Sequence, residues 1–139
     1  MIPKIINGNS HKDERGMLLF NNNFDVSTVR RIYFIENKDT EFIRGWQGHK
    51  IEQRWFSVIQ GEFRIQLIAI DNWVIPSKDL KIFDCILKKS NFDVLHVPAG
   101  YISSIQSLDS NSKLMVMSDY FLGEIKDEYR FDADYFNEE

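Results

Sequence analysis

Short runs in which apolar and polar residues alternate, separated by turn residues, make up most of this chain. In the clearest run, Phe63, Ile65 and Leu67 occupy every second position, with polar residues between them. This two-residue period predicts a strand whose two faces differ. The predicted strands are Ile2–Asn7, Met17–Asn21, Val29–Glu36, Phe42–Lys50, Glu52–Gln60, Glu62–Ile70, Lys81–Leu87, Asp93–Val97, Tyr101–Ser107 and Lys113–Ser118.

Few segments carry the period of a helix. Only Pro76–Leu80 and Gly123–Asp134 are candidates for a short helical turn. Many short strands at this spacing predict an all-β sandwich or barrel, because such folds limit exposed sheet edges. The chain has 139 residues and contains neither a linker nor a repeat. We therefore predict one domain, 1–139, whose last few residues fray at the terminus.

Composition and charge narrow the possible functions. Apolar residues make up 43% of the chain, which is enough for a packed core. A net charge of -4 offers no basic surface for nucleic acid or an anionic membrane. No window approaches the roughly 20 apolar residues of a membrane helix, and the N-terminus lacks the features of a signal peptide. We expect a cytoplasmic protein that binds neither nucleic acid nor membrane.

The run 44–50 carries the candidate chemistry. It reads Arg-Gly-Trp-Gln-Gly-His-Lys and resembles the first motif of a cupin barrel, in which two histidines stand one residue apart. Here Gln47 occupies the first of those positions and His49 the second. Because side chains two residues apart in a strand share a face, both are predicted to point into one pocket.

The second cupin motif, Pro-x-Gly-x-x-His, appears at 98–103 with Ser103 in place of the histidine. His49 is then the one clear survivor of the four ligands of a metal-binding cupin. One imidazole among amides and hydroxyls is a poor site for zinc, iron or manganese. We therefore expect no metal and no other cofactor.

The carboxylate ligand of the first motif is missing as well. Gln53 and Arg54 stand near its position in the sequence. Glu52 comes slightly early and, by strand alternation, is expected on the opposite face.

Further motifs follow in a recognisable order. Asp-Glu-Arg-Gly at 13–16 precedes an apolar strand, Val-Arg-Arg-Ile-Tyr at 29–33 precedes the run 44–50, and Asp-Glu-Tyr-Arg-Phe at 127–131 lies near the end. In this order the motifs resemble those of the dTDP-sugar 3,4-ketoisomerase (WxcM-like) family, and more distantly those of the dTDP-4-dehydrorhamnose 3,5-epimerases. The resemblance covers nearly the full length.

The resemblance implies a cupin-type double-stranded β-helix, or jelly-roll barrel, with little helix. It also implies a homodimer with exchanged N-terminal strands that acts on a nucleotide-linked 4-keto-6-deoxy sugar. The ketoisomerases carry Arg-Gly-x-His-x-His-Lys and move protons with both histidines, and the epimerases place their catalytic histidine at the first of these positions. Arg44 and His49 match this motif, whereas Gln47 replaces the group that both reactions share.

Proton abstraction next to a ketone needs a base whose pKa lies near the working pH. An imidazole meets this requirement and an amide does not. His49 is therefore predicted to be the remaining acid or base, and Gln47 to hold a sugar hydroxyl or polarise a carbonyl. In the alternative interpretation, His49 only bonds a neighbouring loop.

Three arginines are candidate binding groups. Arg44 is predicted to bind phosphate or sugar oxygens, since a guanidinium suits a diphosphate through paired hydrogen bonds. Arg54 and Arg64 alternate with apolar neighbours, so each either lines the cavity or faces solvent.

Four further residues complete the candidate binding site. By resemblance, Arg15 contributes to the nucleotide site, although by composition alone it is an ordinary surface residue. Tyr33 and Tyr101 either stack on a base, or donate to a developing enolate, or pack in the core. Ser103, at the position of the missing histidine, is included as a binding residue.

Three functions remain open from the sequence. The leading one is a sugar-nucleotide isomerase or epimerase that works without metal on a dTDP-4-keto-6-deoxy sugar, in deoxysugar or surface polysaccharide biosynthesis. The second is a non-catalytic cupin that binds a sugar nucleotide or carbohydrate and has lost its chemistry at Gln47. The third, a metal-dependent cupin with unusual ligands, is disfavoured by Gln47 and Ser103.

Overall fold

The computed structural model describes residues 1–89 and 91–136, which form twelve β-strands and, within these ranges, no helix. The strands are β1 (Lys4–Ile6), β2 (Asn9–Asp13), β3 (Gly16–Phe20), β4 (Arg31–Ile35), β5 (Ile43–His49), β6 (Arg54–Gln60), β7 (Glu62–Ala69), β8 (Ile82–Lys88), β9 (Val94–Val97), β10 (Tyr101–Ser107), β11 (Lys113–Ser118) and β12 (Tyr129–Arg130).

Two five-stranded antiparallel sheets and one hairpin hold these strands. The first sheet has the order β1-β9-β6-β11-β4, and the second has the order β12-β5-β10-β7-β8. Strands β2 and β3 pair only with each other in the described chain. Strands β4 to β7 and strands β8 to β12 alternate between the two sheets, and β7 and β8 pair within the second sheet. This architecture is the jelly roll predicted from the sequence.

The main core lies between the two sheets. Phe56 and Val58 of β6 face Phe63, Ile65 and Leu67 of β7, and all five side chains are buried. Their spacing of two residues places them on the inner faces of their strands. The alternating apolar positions that predicted the strand at Phe63, Ile65 and Leu67 are thus the positions that form this core.

The outer faces of both sheets are also covered in part. Trp55, Met115 and Met117 lie outside the first sheet and pack against partly buried residues such as Phe24. Trp46 lies outside the second sheet, where Phe136 contacts it edge-on at a ring-centroid distance of 5.4 Å. This cover explains why Ile68, on the outer face of β7, is fully buried.

The ten predicted strands are all present, with ends that shift by up to two residues. Two strands were not predicted. Strand β2 reads Asn-Ser-His-Lys-Asp and has no apolar alternation, and β12 has only two residues. The candidate helical turns at 76–80 and 123–134 contain hydrogen-bonded turns and no helix. The predicted fraying falls on residues 137–139, outside the described ranges.

No helix among the described residues is long and apolar enough to cross a membrane.

Candidate functional site

Two adjoining cavities open between the sheets at one end of the jelly roll. The inner cavity has a volume of about 50 Å³, and the wider mouth has a volume of about 490 Å³. Both are lined by Tyr33, Gln47, His49 and Arg54, which therefore stand at the junction of the cavities. The inner cavity is also lined by Ile35, Arg44, Gly48, Phe56, Val97, Tyr101, Ser103 and Ile105.

Strands β5 and β10 position the polar side chains of the inner cavity. Their register pairs Gln47 with Ser103 and His49 with Tyr101. A Cβ at Gly48 would lie 2.2 Å from the Tyr101 carbonyl oxygen, so a glycine is needed for the strands to approach this closely. The predicted placement of Gln47 and His49 on one face is confirmed.

His49 is buried and hydrogen-bonded to an arginine. Its Nε2 lies 2.7 Å from Nη2 of Arg54. A guanidinium only donates hydrogen bonds, so Nε2 of His49 accepts this one and the proton of the neutral ring lies on Nδ1. Burial, together with the positive charge of Arg54, lowers the pKa of His49 from 6.5 to about 4. His49 is therefore neutral at neutral pH.

Arg54 joins three other side chains. Besides His49, it donates from Nη1 to the Tyr33 hydroxyl and from Nη2 to Oε1 of Glu52 at 2.9 Å. The side chains of Arg54 and Glu52 are only 10% and 9% exposed. Such a buried ion pair is costly to break, because either partner alone would be an uncompensated charge. Ser118 adds a hydrogen bond to the same Oε1 at 2.9 Å.

Asp127 holds the loop between β5 and β6 in place. Its carboxylate accepts hydrogen bonds from the backbone N–H groups of Lys50, Ile51 and Glu52 at 2.8–2.9 Å. The carboxylate belongs to segment 122–129, which contributes most of the remaining lining of the mouth. One buried side chain thus connects the wall of the mouth to the loop that presents Glu52.

Gln47 projects between the two cavities. Within the described ranges no hydrogen bond involves its side-chain amide, whereas its carbonyl oxygen accepts one from Ser103 Oγ at 3.4 Å. An unengaged amide can both donate to and accept from a ligand. Gln47 is thus available for binding, although it cannot act as a base.

Arg44 lines the inner cavity and does not line the mouth. Its Nε donates to Oδ1 of Asn37 at 3.0 Å, and its guanidinium lies 5.7 Å from the ring centroid of Phe42. The side chain is exposed. Together with Gln47 and His49 it lines one cavity, as predicted.

Two predicted binding residues lie elsewhere. Arg15 is in the turn between β2 and β3, where its side chain is 81% exposed and pairs with Asp13 at 2.7 Å. Arg64 pairs with Asp84 at 2.7 Å on the outer face of the second sheet. Arg64 points outward because strand alternation gives the inner face to its neighbours Phe63 and Ile65.

The prediction that Glu52 faces away from the site was wrong. Glu52 lines the mouth beside His49 and Arg54. The alternation argument failed because β6 begins at Arg54, which leaves Glu52 in the preceding loop. Gln53, by contrast, lies outside the cavities and bonds His96 Nε2 through Oε1 at 2.6 Å.

Other residues of the mouth were not singled out from the sequence. Arg31 and Lys126 line it, and neither forms an ion pair with any residue in the described ranges. Asp127 and Glu128 line it as well. Asp127 is the first residue of the motif at 127–131. Its contact with loop 50–52 could not be predicted from that motif, because the contact depends on the fold.

In residues 1–89 and 91–136, no group of three or more His, Cys, Asp or Glu side chains is arranged to hold a metal ion.

The jelly roll of this chain is similar in fold to solved structures of sugar-nucleotide isomerases and epimerases. The similar solved structures include a variant of the 3,4-ketoisomerase QdtA from Thermoanaerobacterium thermosaccharolyticum in complex with TDP-4-keto-6-deoxyglucose. It is 17% identical, with a TM-score of 0.73 over 97% of this chain and 91% of that one.

Two other structures extend the comparison. A 3,4-ketoisomerase from Helicobacter canadensis is 21% identical, with a TM-score of 0.73 over 98% of this chain and 96% of that one. The RmlC epimerase from Mycobacterium tuberculosis is 15% identical, with a TM-score of 0.75 over 95% of this chain and 70% of that one. No family model and no curated protein sequence matches the chain. At these identities the comparisons establish the fold, and they confirm the fold class predicted from the sequence.

Proposed function

We propose that this protein is a sugar-nucleotide isomerase or epimerase that transfers a proton next to the ketone of a dTDP-4-keto-6-deoxy sugar. The observation that carries the proposal is the convergence of His49, Gln47, Arg54 and Tyr33 at the junction of two cavities. The similar structure of QdtA, which is in complex with TDP-4-keto-6-deoxyglucose, supports the choice of substrate class.

The mouth has the size and charge for a nucleotide-linked sugar. A volume of about 490 Å³ lies in the range of small-molecule sites. Arg31 and Lys126 at its rim are cations without an ionic partner in the described chain, and a diphosphate would supply one. The sugar would then extend inward toward Gln47 and His49, with Tyr101 and Ser103 beyond them.

The polar groups at the junction suit an enolate intermediate. The neutral His49 carries its proton on Nδ1, the amide of Gln47 has free donors, and the Tyr33 hydroxyl accepts from Arg54 and keeps its own proton for a ligand. Preorganised donors aimed at a developing oxyanion are a large source of rate enhancement. We include the absence of a metal or other cofactor in this proposal.

Deuterium exchange tests the reaction. The protein is incubated with dTDP-4-keto-6-deoxyglucose in D₂O, and deuterium at C3 and C5 of the sugar is followed by NMR. We expect exchange with the unaltered protein and a loss of about 10²–10⁴ in rate for His49→Asn. Arg64→Gln, altered on the outer face of the second sheet, is the matched control and should exchange at the unaltered rate. Nucleotide binding without exchange would refute the isomerase.

A second candidate is a non-catalytic cupin that binds a sugar nucleotide or carbohydrate. Two observations favour it: Gln47 cannot accept a proton, and the pKa of His49 near 4 makes it a weak base. The same incubation decides between the two functions, because this candidate requires binding with no exchange at any carbon.

The assembly is a separate part of the proposal. We propose a homodimer in which the N-terminal strands are exchanged between subunits. Hairpin β2–β3 pairs with no other strand of the described chain, and Met17 and Leu18 on it are exposed. Strand β4 ends the first sheet and exposes Ile32 and Phe34. A second copy would cover these surfaces and could bring Arg15 to a neighbouring nucleotide site.

Light scattering tests the dimer. A monomer at micromolar concentration would contradict the proposed assembly.

We propose that the protein acts in deoxysugar or surface polysaccharide biosynthesis in the cytoplasm.

A further inference from the structure

One nitrogen of Arg54 is shared by the two candidate proton carriers of the mouth. Nη2 lies 2.7 Å from Nε2 of His49 and 2.9 Å from Oε1 of Glu52. All three side chains line the mouth. Since the guanidinium occupies the lone pair of Nε2, His49 has no free acceptor in this arrangement and offers only Nδ1–H.

Glu52 keeps one carboxylate oxygen free. Its hydrogen bonds from Arg54 and Ser118 both end on Oε1. No bond to Oε2 occurs within the described residues, and Oε2 is not among the buried polar atoms that lack a partner. A carboxylate oxygen with free lone pairs beside a cavity can accept a proton.

The other groups of the mouth are less suited to accept a proton. Both oxygens of Asp127 are held by the backbone N–H groups of loop 50–52. Glu128 is paired with Arg130 and is about half exposed. The amide of Gln47 has no basic lone pair. Of the described side chains of the mouth, Glu52 is thus the one placed to act as a base.

We infer that Glu52 is the proton acceptor of this site, and that Arg54 is a positioning residue that fixes His49 as a neutral hydrogen-bond donor to the carbonyl oxygen. The inference rests on the proposed function and assigns roles within it. A carboxylate base combined with a neutral imidazole that polarises the carbonyl is an established arrangement for proton transfer next to a ketone.

The step balances without a co-reactant. Oε2 of Glu52 takes the proton from the carbon next to the ketone, and the electron pair of that C–H bond forms a C=C bond. The carbonyl π electrons move to the oxygen, which Nδ1–H of His49 stabilises through a hydrogen bond. For a ketoisomerisation, Glu52 returns the proton to the former carbonyl carbon while the proton of the adjacent hydroxyl passes to the enolate oxygen. The protein ends in its starting state.

The first test replaces the carboxylate. Glu52→Gln should lower the rate of deuterium incorporation by about 10²–10⁴, because it removes the base and keeps the shape. Glu36→Gln is the matched control, since Glu36 is exposed and lies outside both cavities. If circular dichroism shows that Glu52→Gln is unfolded, Glu52→Asp is used in its place. This variant keeps the charge but moves the carboxylate oxygen away from the substrate. The same loss is then expected.

The second test determines which ring nitrogen of His49 carries the proton. In ¹⁵N NMR spectra of the unaltered protein at neutral pH, we expect Nδ1 to be protonated and Nε2 to be an acceptor. Arg54→Met should abolish this preference and raise the pKa of His49. Arg54→Lys keeps a donor and should restore the tautomer. A role for Arg54 in folding alone would not move this signal.

The outcomes separate the two proposals. Exchange by the unaltered protein that persists within threefold in Glu52→Gln overturns the inference and leaves the proposed function standing. A proton on Nε2 of His49 in the unaltered protein also overturns it. No exchange by the unaltered protein refutes the proposed function, and the assignment to Glu52 with it.

Discussion

Arg54 donates a hydrogen bond from Nη2 to Nε2 of His49 across 2.7 Å, deep in the mouth of the jelly roll. This contact sets the chemistry of His49. A histidine whose Nε2 is engaged by a fixed cation is a neutral donor, whereas a free histidine would be a base. The junction of the cavities therefore holds a neutral imidazole at His49 and an amide at Gln47.

Stability should depend on pH through His49. In the folded protein its pKa is lowered to about 4, whereas in the unfolded chain it has the ordinary value of 6.5. Below pH 6.5 the unfolded chain binds a proton that the folded protein does not, so stability falls as the pH is lowered toward 4. Urea unfolding at pH 7.5 and 4.5 should show a loss on the order of 3 kcal/mol beyond that of His49→Gln. An equal loss in both proteins would contradict the assigned environment of His49.

Restoring a histidine at Gln47 should raise activity. The side chain at this position faces the junction of the cavities and has no protein hydrogen bond to lose in the described chain. A positioned imidazole there would add an acid or base, which contributes about 10²–10⁴ in rate where it is well placed. The rate of deuterium incorporation by Gln47→His should rise by at least tenfold. Gln47→Asn, which adds no base, is its control. Equal rates in both variants would show that the missing imidazole does not limit the reaction.

Removing the charge of Asp127 should destabilise the loop between β5 and β6. Asp127→Asn weakens three hydrogen bonds from backbone N–H groups, one of them buried and two partly buried, so the free energy of unfolding should fall by about 1–3 kcal/mol. Asp25→Asn is the control: its carboxylate also accepts from a backbone N–H, that of Ser27, but at an exposed turn. We expect a change there within about 0.5 kcal/mol in the same urea titration. Equal losses in the two variants would mean that Asp127 does not anchor the loop.

The cations of the mouth should bind the diphosphate. Arg31→Gln and Lys126→Gln each remove one positive charge from the rim. A hydrogen bond between charged groups contributes about 1.5–3 kcal/mol, so the affinity for dTDP should fall about 10- to 100-fold in each variant. Isothermal titration calorimetry measures the change. Arg64→Gln, on the outer face of the second sheet, should bind like the unaltered protein, and a similar loss there would place the diphosphate elsewhere.

The sequence predicted most of the fold because the inner faces of the strands alternate strictly. Phe63, Ile65 and Leu67 show this period, and they form the core between the sheets. Strand β2 was not predicted because it packs neither face against that core, so its residues carry no apolar alternation. The local sequence pattern reflects burial, and a strand without a buried face shows no such pattern.

The site was predicted less completely. Gln47 and His49 could be placed together because both lie in one regular strand. Glu52 could not, because alternation does not extend through the irregular loop before β6. The contact between His49 and Arg54 joins the end of β5 to the start of β6 across that loop, and its geometry depends on the anchor at Asp127. Such relationships arise only once the sheets are assembled.

The most direct test of the proposed proton transfer is a time course of dTDP-4-keto-6-deoxyglucose with the unaltered protein in D₂O at neutral pH. We predict that the signal of a proton next to the ketone disappears, that deuterium enters the sugar, and that His49→Asn and Glu52→Gln both suppress this exchange. If the nucleotide saturates the mouth while every carbon-bound proton of the sugar is retained, the protein does not catalyse proton transfer, and the proposed function is wrong.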